Sequence, residues 1–381
     1  MYRGISPGAP FLPRYDTKYI EDAELNITTA IRHYFDALDM RALAHKMGAI
    51  FGGKLPHAST LVPGGVTEKV TALKIAACKS IINKLQEFID NSYLSDVSEL
   101  AGAFPEYLQI GKGCGNFLAY GVFPESGDHS AKLFPDGVIM EKKLGYFDPA
   151  VITEDVLYSH YSSPSNLKPA QGRTIPDPKK SNAYSWIKAP RYNKAVMETG
   201  PLARIMVAYL KGKNPQVKKL ADNFLGRFDA GIEILDSCLG RHAARAVECK
   251  IIADRCSEWI EELRPGKTAF QDFDIPESGE GAGLTEAPRG ALGHWIKIKE
   301  HKTDNYQCVV PTTWNCSPRD DRGNPGLLNR RLWGRRFLTI KIRQRQLVWC
   351  VLLIRALLVQ FISLFGHPSY MLESSLHFPE L

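Results

Sequence analysis

Four phrases of the 381-residue chain gather side chains that could do chemistry. In "GLTEAPRGALGHWI" (Gly283 to Ile296), Arg289 follows Pro288 and stands among Gly290 and Gly293. Proline fixes its own backbone and biases Ala287 towards an extended shape, while glycine permits tight turns and close approach. Such a loop holds a guanidinium oriented before any substrate arrives. The plainer alternative is an ordinary turn whose arginine makes a structural ion pair. In "YQCVVPTTWNCSPRD" (Tyr306 to Asp320), a short buried strand leads into a Pro-Thr-Thr-Trp turn and ends on an aspartate. It reads equally as a strand and turn with no role in chemistry. In "GRHAARAVE" (Gly240 to Glu248), Arg241, Arg245 and Glu248 share one helix face. They form either a solvated ion-pair stripe or a buried polar network. In "HKMGAIFGGKLPH" (His45 to His57), two histidines flank a helix end and a glycine pair, but that spacing does not converge two metal ligands.

Three long helical segments must position these phrases. Asp22 to Ile50 repeats apolar residues at three and four (Ile27, Ile31, Tyr34, Leu38, Ala42) and ends at Gly52-Gly53. Val66 to Ser92 repeats the pattern with Val70, Leu73, Ala77, Ile81 and Leu85, with Thr67 as the expected cap. Asn214 to Leu263, with a break near Asp229-Ala230-Gly231, ends at the stop signal "RPG". Between Leu108 and Lys180, Gly, Pro and aromatic residues surround β-like runs such as "FLAYGVF" and "GVIMEKKLGYF". The expected fold class is mainly α with small β ribbons (α+β) and long ordered loops.

At 44% hydrophobic content the chain can bury a large core in one or two domains. The net charge is +7, yet from Leu327 onward eight Arg or Lys face only Glu373 and Glu380. The basicity belongs to that tail, and the nearly neutral body has no electrostatic footprint for nucleic acid. None of the eight cysteines forms a C-x-x-C pair, so neither a zinc ribbon nor a redox pair is supported. Cys249 and Cys256, two turns apart in an apolar helix, read as buried free thiols. The N-terminal "MYRGISPGAPFLPRY" lacks the apolar core of a signal peptide and leaves localisation open. It reads as an extended surface segment or the middle of a longer protein.

Together "FGGKLPH", "SWIKAPRY", "METGPLAR", "GR…RAVE", "TEAPRGALGHW" and "YQCVVPTTWNCSPRDDRGNPG" resemble, in order and spacing, the large catalytic subunit of nickel–iron hydrogenases. The resemblance covers residues 1–326. It implies a large-subunit-like helical core and a partner small subunit carrying iron–sulfur clusters. It also implies a nickel–iron centre with cyanide and carbon monoxide on the iron, and reversible oxidation of H2 to protons and electrons. The close match at "APRGALGHW" favours this family over a distantly similar quinone-linked respiratory subunit. Arg289 matches the arginine over the open side of the metals, where a cation assists hydrogen heterolysis. Pro288 and Thr312 match positions lining the cyanide ligands, and Asp320 ends a phrase that helps orient this region. Glu248, Arg245 and His57 also fall in family motifs, with structural or proton-network roles implied. The family holds its metals with four cysteines, in an R-x-C-G-x-C motif upstream of the matched region and a D-P-C-x-x-C motif near its C-terminus. Neither is present here, so the core is expected to be incomplete, the nickel–iron centre not retained, and the chain inactive alone. Cys308 and Cys316 are not in ligand motifs, and no residue is assigned as a metal ligand.

After "RDDRGNPG" the family continues as G-P-x-E-x-x-L-x-G-T-P, whereas this chain reads Leu327-Leu328-Asn329-Arg330-Arg331-Leu332-Trp333-Gly334-Arg335. A coding stretch for Pro-Ile-Glu-Gln-Thr-Leu-Met-Gly-Thr, read one base later, yields those residues. Residues 327–381 are therefore expected to be a frameshift product, not a second domain. The alternative is a non-catalytic, subunit-binding remnant, membrane-associated through Leu347 to Phe365. That run has bilayer-spanning length but carries Arg355 and Gln360 near its middle.

Overall fold

The structure, a computed structural model, describes residues 24–125, 128–267 and 269–328. The tail from 329 on, with the proposed membrane segment, lies outside them, as does the N-terminal segment to residue 23. Seven α-helices are present among the described residues: α1 (Glu24–Gly52), α2 (Ala72–Phe88), α3 (Leu94–Ala103), α4 (Pro201–Lys211), α5 (Pro215–Gly226), α6 (Cys238–Glu262) and the short α7 (Pro311–Asn315). No described helix is long and apolar enough to cross a membrane.

The first expected helix is α1. The second starts later than its periodicity suggests. Thr71, not Thr67, caps α2, its hydroxyl accepting from Lys74 N at 3.3 Å. Thr67 instead donates its backbone N–H to Thr60 O, closing the small loop that precedes the helix. A π-turn at Ile89–Tyr93 then carries α2 directly into α3. The third expected helix is broken where the Asp229-Ala230-Gly231 signal lies. Asp229 adopts φ +46°, a 3-10 turn follows at Ile232–Leu235, and α6 begins with Ser237 accepting from Gly240 N at 3.0 Å. Helix α6 is the central element, packed on by α2, α3, α4 and α5. Its buried residues run around most of its circumference, from Leu239 to Ile260, as a helix inside a bundle requires. Cys249 and Cys256 are fully buried there as free thiols.

Among the described residues, thirteen short strands make five small sheets. They are β1 (Leu61–Val62), β2 (Gly65–Val66), β3 (Phe117–Ala119), β4 (Val122–Glu125), β5 (Asp128–Phe134), β6 (Gly137–Met140), β7 (Lys143–Gly145), β8 (Ile152–Asp155), β9 (Ala189–Tyr192), β10 (Ala269–Phe270), β11 (Gly279–Ala287), β12 (Gly290–Lys299) and β13 (Lys302–Val309). The expected ribbons fall on β3–β4 and on the β6–β7 hairpin. The antiparallel meander β11–β12–β13 is the largest sheet among the described residues; the strand expected from Tyr306 falls on β13, half-buried, while β11 and β12 were not legible because glycines dilute the alternation in β11. A second core cluster under this meander (Leu118, Tyr120, Ile152, Met197, Trp295, Val309 and Trp314 among others) is distinct from the helical core. Helix α4 contacts β3 and β12 on one side and α6 on the other, so it joins the two cores. The fold is α+β, as expected.

Candidate functional site

The Pro288–Arg289 pair is the two-residue turn of the β11–β12 hairpin, closed by the Ala287–Gly290 pairing. Its conformation is gripped from beneath by Arg204, a fully buried side chain on α4. One guanidinium nitrogen, Nη1, donates to Ala287 O (3.0 Å), and the other, Nη2, to Pro288 O (3.1 Å). The same guanidinium donates to Glu286 Oε2 at 2.6 Å and to both carboxylate oxygens of Glu248 on α6. Glu286 in turn accepts from Tyr120 N at 2.6 Å.

Burial alone would weaken the Arg204 charge, but Glu248 and Glu286 outweigh it and hold the guanidinium above its usual range. Burial pushes the Glu286 carboxyl up, against the pull of Arg204. Desolvating such a group costs several kcal/mol per ion. Each fully buried aliphatic neighbour on α4, such as Ile205 and Val207, returns about 1.5–3 kcal/mol. The apolar helix can therefore hold the polar network, and the network fixes where the turn sits.

A second contact comes from Thr199 and Gly200, immediately before α4. Gly290 has φ +134°, and a Cβ there would lie 2.4 Å from Thr199 Oγ1 and 2.6 Å from Gly200 N. Gly200, at φ +123°, would bring a Cβ to 2.9 Å from Arg289 O. Both glycines are required by close backbone approach as well as by φ. Thr199 also pairs reciprocally with Asn315 on α7, N–H to Oδ1 and Nδ2 to O, each at 3.0 Å. The same hinge thus clamps the Arg289 turn and the helix that bears Thr312.

The sheet register brings those two together from the other direction. Gly293 on β12 pairs with Val309, the last residue of β13, and Thr312 lies in the first turn of α7 just beyond. Pro288, Arg289 and Thr312 therefore share one end of the meander, with Arg289 and Thr312 exposed and Pro288 half-buried. Asp320 is elsewhere. Fully buried, its Oδ2 accepts from Arg191 Nε (3.0 Å) and Asn324 Nδ2 (3.1 Å), and its Oδ1 from the backbone of Arg322 (3.1 Å) and Asn324 (2.8 Å). Burial would raise this carboxyl, but those bonds prevail and hold it below the usual aspartate value. Arg191 also reaches Ser317 Oγ and Pro318 O, so the pair ties β9 to the Ser317–Asn324 loop.

The "GRHAARAVE" face is neither a solvated stripe nor one network: its residues turn to separate partners, and Arg245 Nη1 is buried without a hydrogen bond. Glu248 binds Arg204, while Arg241 donates to Glu198 and to Asp236. His45 lies on α1 and His57 in a left-handed conformation beyond it. Sequence reasoning missed Arg191, Arg204, Glu198, Glu286, Thr199 and Asn315, because their partners lie far away along the chain. A signal was nevertheless present: an arginine inside an apolar run, as in "PLARIMVAYL", is unstable when buried unless paired.

The described cysteines are spread over the fold. Cys78, Cys249 and Cys256 are buried in the helical core, Cys114, Cys238 and Cys316 are partly buried, and Cys308 is exposed on β13. Among the described residues no group of three or more His, Cys, Asp or Glu is arranged to hold a metal ion.

Residues 5–346 match the family model described as nickel-dependent hydrogenase. The periplasmic NiFeSe hydrogenase large subunit of Desulfomicrobium baculatum is 37% identical over 345 residues, covering 86% of this chain and 66% of the relative. The uptake hydrogenase large subunit of Bradyrhizobium diazoefficiens is 38% identical over 347 residues, covering 78% and 58%. The chain thus spans about two-thirds or less of these relatives' length. The H2-activated NiFeSe hydrogenase of Dm. baculatum superimposes with a TM-score of 0.82 at 35% identity, covering 94% of this chain and 76% of that one. The reduced Ni-Fe-Se hydrogenase of D. vulgaris Hildenborough gives a TM-score of 0.81 at 34% identity, covering 94% and 75%. With those motifs, that fold and those matches, this chain belongs to the nickel-dependent hydrogenase family, on the large-subunit side.

Proposed function

We propose that this chain supplies the scaffold around the metals of a hydrogenase large subunit without the thiolates that bind them. The observation that supports this most is the Arg289 turn. It is held from beneath by Arg204 and from the side by Thr199 and Gly200, and it carries Arg289 as an exposed residue, while the 381 residues contain no C-x-x-C pair. In the complete enzyme the nickel–iron centre, with its cyanide and carbon monoxide ligands, supplies the redox chemistry of H2. Arg289 would sit as a fixed cation at the open side, and Pro288 and Thr312 would line the cyanide ligands. Electrons would leave through a small iron–sulfur subunit. Asp320 acts through position, anchoring its loop to Arg191. Without thiolates nothing here retains nickel or bridges it to iron, so the core is incomplete for catalysis. Metal analysis of the purified chain tests this: little nickel and no hydrogen uptake are expected, and near-stoichiometric nickel with uptake would overturn it.

The family register is proposed to end at Gly326, although the family match runs on to residue 346. The basic shift, the acid depletion and the missing downstream cysteine pair all follow from one skipped base. An uninterrupted reading frame in well-covered DNA, with an intact mass that includes the tail, would sink that idea. The second reading is a non-catalytic remnant that still docks on a small subunit. Co-purification with a cluster-bearing partner would support it, and resistance of the chain to carbonate extraction would support a membrane-inserted tail.

A further inference from the structure

The outward face of the β11–β12–β13 meander carries a constellation that takes no part in the Arg289 turn. His294 on β12 and Cys308 on β13 are directly opposite in register. The Cys308 thiol is exposed, and its Sγ lies 3.9 Å from His294 Nε2. The other ring nitrogen, Nδ1, is 2.5 Å from the hydroxyl of Tyr306, two residues before Cys308 on the same face of β13. In the tautomer in which Nδ1–H donates to the phenol oxygen, Nε2 keeps its lone pair 3.9 Å from the sulfur. A hydrogen bond on the far ring nitrogen is how proteins fix the tautomer and orientation of a metal-binding imidazole.

The separation suits one ion between them. A zinc-like ion sits about 2.3 Å from a thiolate and about 2.0–2.1 Å from an imidazole nitrogen. Those bonds place sulfur and nitrogen about 3.5 Å apart at the tetrahedral angle and about 3.9 Å apart at about 125°. Both side chains could therefore bind one ion with little movement. We propose that His294 Nε2 and Cys308 Sγ form a two-ligand seat for a borderline or soft d10 cation, represented by Zn2+, with Tyr306 orienting the imidazole and water completing the coordination. The Cys308 thiol gives up its proton on binding, so one proton is released per ion. The seat uses neither hydrogenase cysteine motif, so its failure leaves the family reading intact, and the reverse also holds.

The test is Zn2+ protection of individual thiols in the full chain, stripped of metal by a chelator and then alkylated with iodoacetamide. Peptide-resolved mass spectrometry should show Cys308 alkylation slowed about tenfold or more by micromolar Zn2+, with Cys114 and Cys316 nearly unchanged. His294→Ala should abolish the protection, and Tyr306→Phe should weaken binding by about tenfold. Co2+ should give a thiolate-to-metal charge-transfer band that Cys308→Ser removes. Absence of protection, equal protection in His294→Ala, or protection spread over all thiols as an adventitious ion would give, overturns the seat. Circular dichroism of each variant separates these outcomes from misfolding.

Discussion

At the scale of single residues, the buried Arg204 does the most to set the site. Arg204 touches two carboxylates and the carbonyls of Ala287 and Pro288, so its removal leaves Glu248 and Glu286 buried without their cation. Replacing Arg204 with leucine should cost about 3–5 kcal/mol of unfolding free energy, as measured by urea titration. Asp320 gives a prediction with a pH sign. Its ordinary value is 3.8, and its folded value is lower. Folding therefore favours the ionised form: the stabilisation is complete above the unfolded value and is lost as pH falls through the folded one. Asp320→Asn should flatten the loss of stability below about pH 4 while lowering stability at neutral pH, and urea midpoints across a pH series would show it.

At the scale of elements, helix starts and the tight turn matter most. Ser237 caps the central helix α6 from a fully buried position, so Ser237→Ala should destabilise by about 1 kcal/mol in thermal or urea unfolding. The Gly290→Ala change meets backbone as well as the Thr199 hydroxyl, in a left-handed conformation that alanine resists. It should cost about 1–3 kcal/mol, and hydrogen exchange in residues 285–293 should accelerate even where the global midpoint moves little. These elements also show how far the chain could be read beforehand. The three-and-four spacing of Ile27, Ile31 and Tyr34 announced α1, and the Asp229-Ala230-Gly231 signal announced the break before α6. The start of α2 was misplaced because Thr67 and Thr71 are both capping types. Only the hydrogen bonds each makes after folding decide between them. The first two strands of the meander were missed because their inward positions are few and their outward face mixes glycine, lysine and glutamate.

At the scale of the whole molecule, two cores meet at α4, and the described fold ends at Leu328. If the tail is another frame's translation, removing residues 329–381 should leave the urea midpoint unchanged within error and improve solubility, because a basic, apolar segment contributes no native packing. A clear loss of stability would mean that the tail packs on the body.

Local chemistry was enough for the sequence by itself to determine the family, the helical periodicity, the Pro288–Arg289 turn and the want of paired cysteines. Each of these is written in adjacent residues. Only the tertiary structure decided that Arg204 carries the turn, that Thr199 clamps it to α7, that Asp320 faces Arg191, and that His294 meets Cys308. Buried charges must find partners wherever the chain brings them, and those partners lie on elements that become neighbours only when the apolar faces of α4, α6 and the meander are packed together.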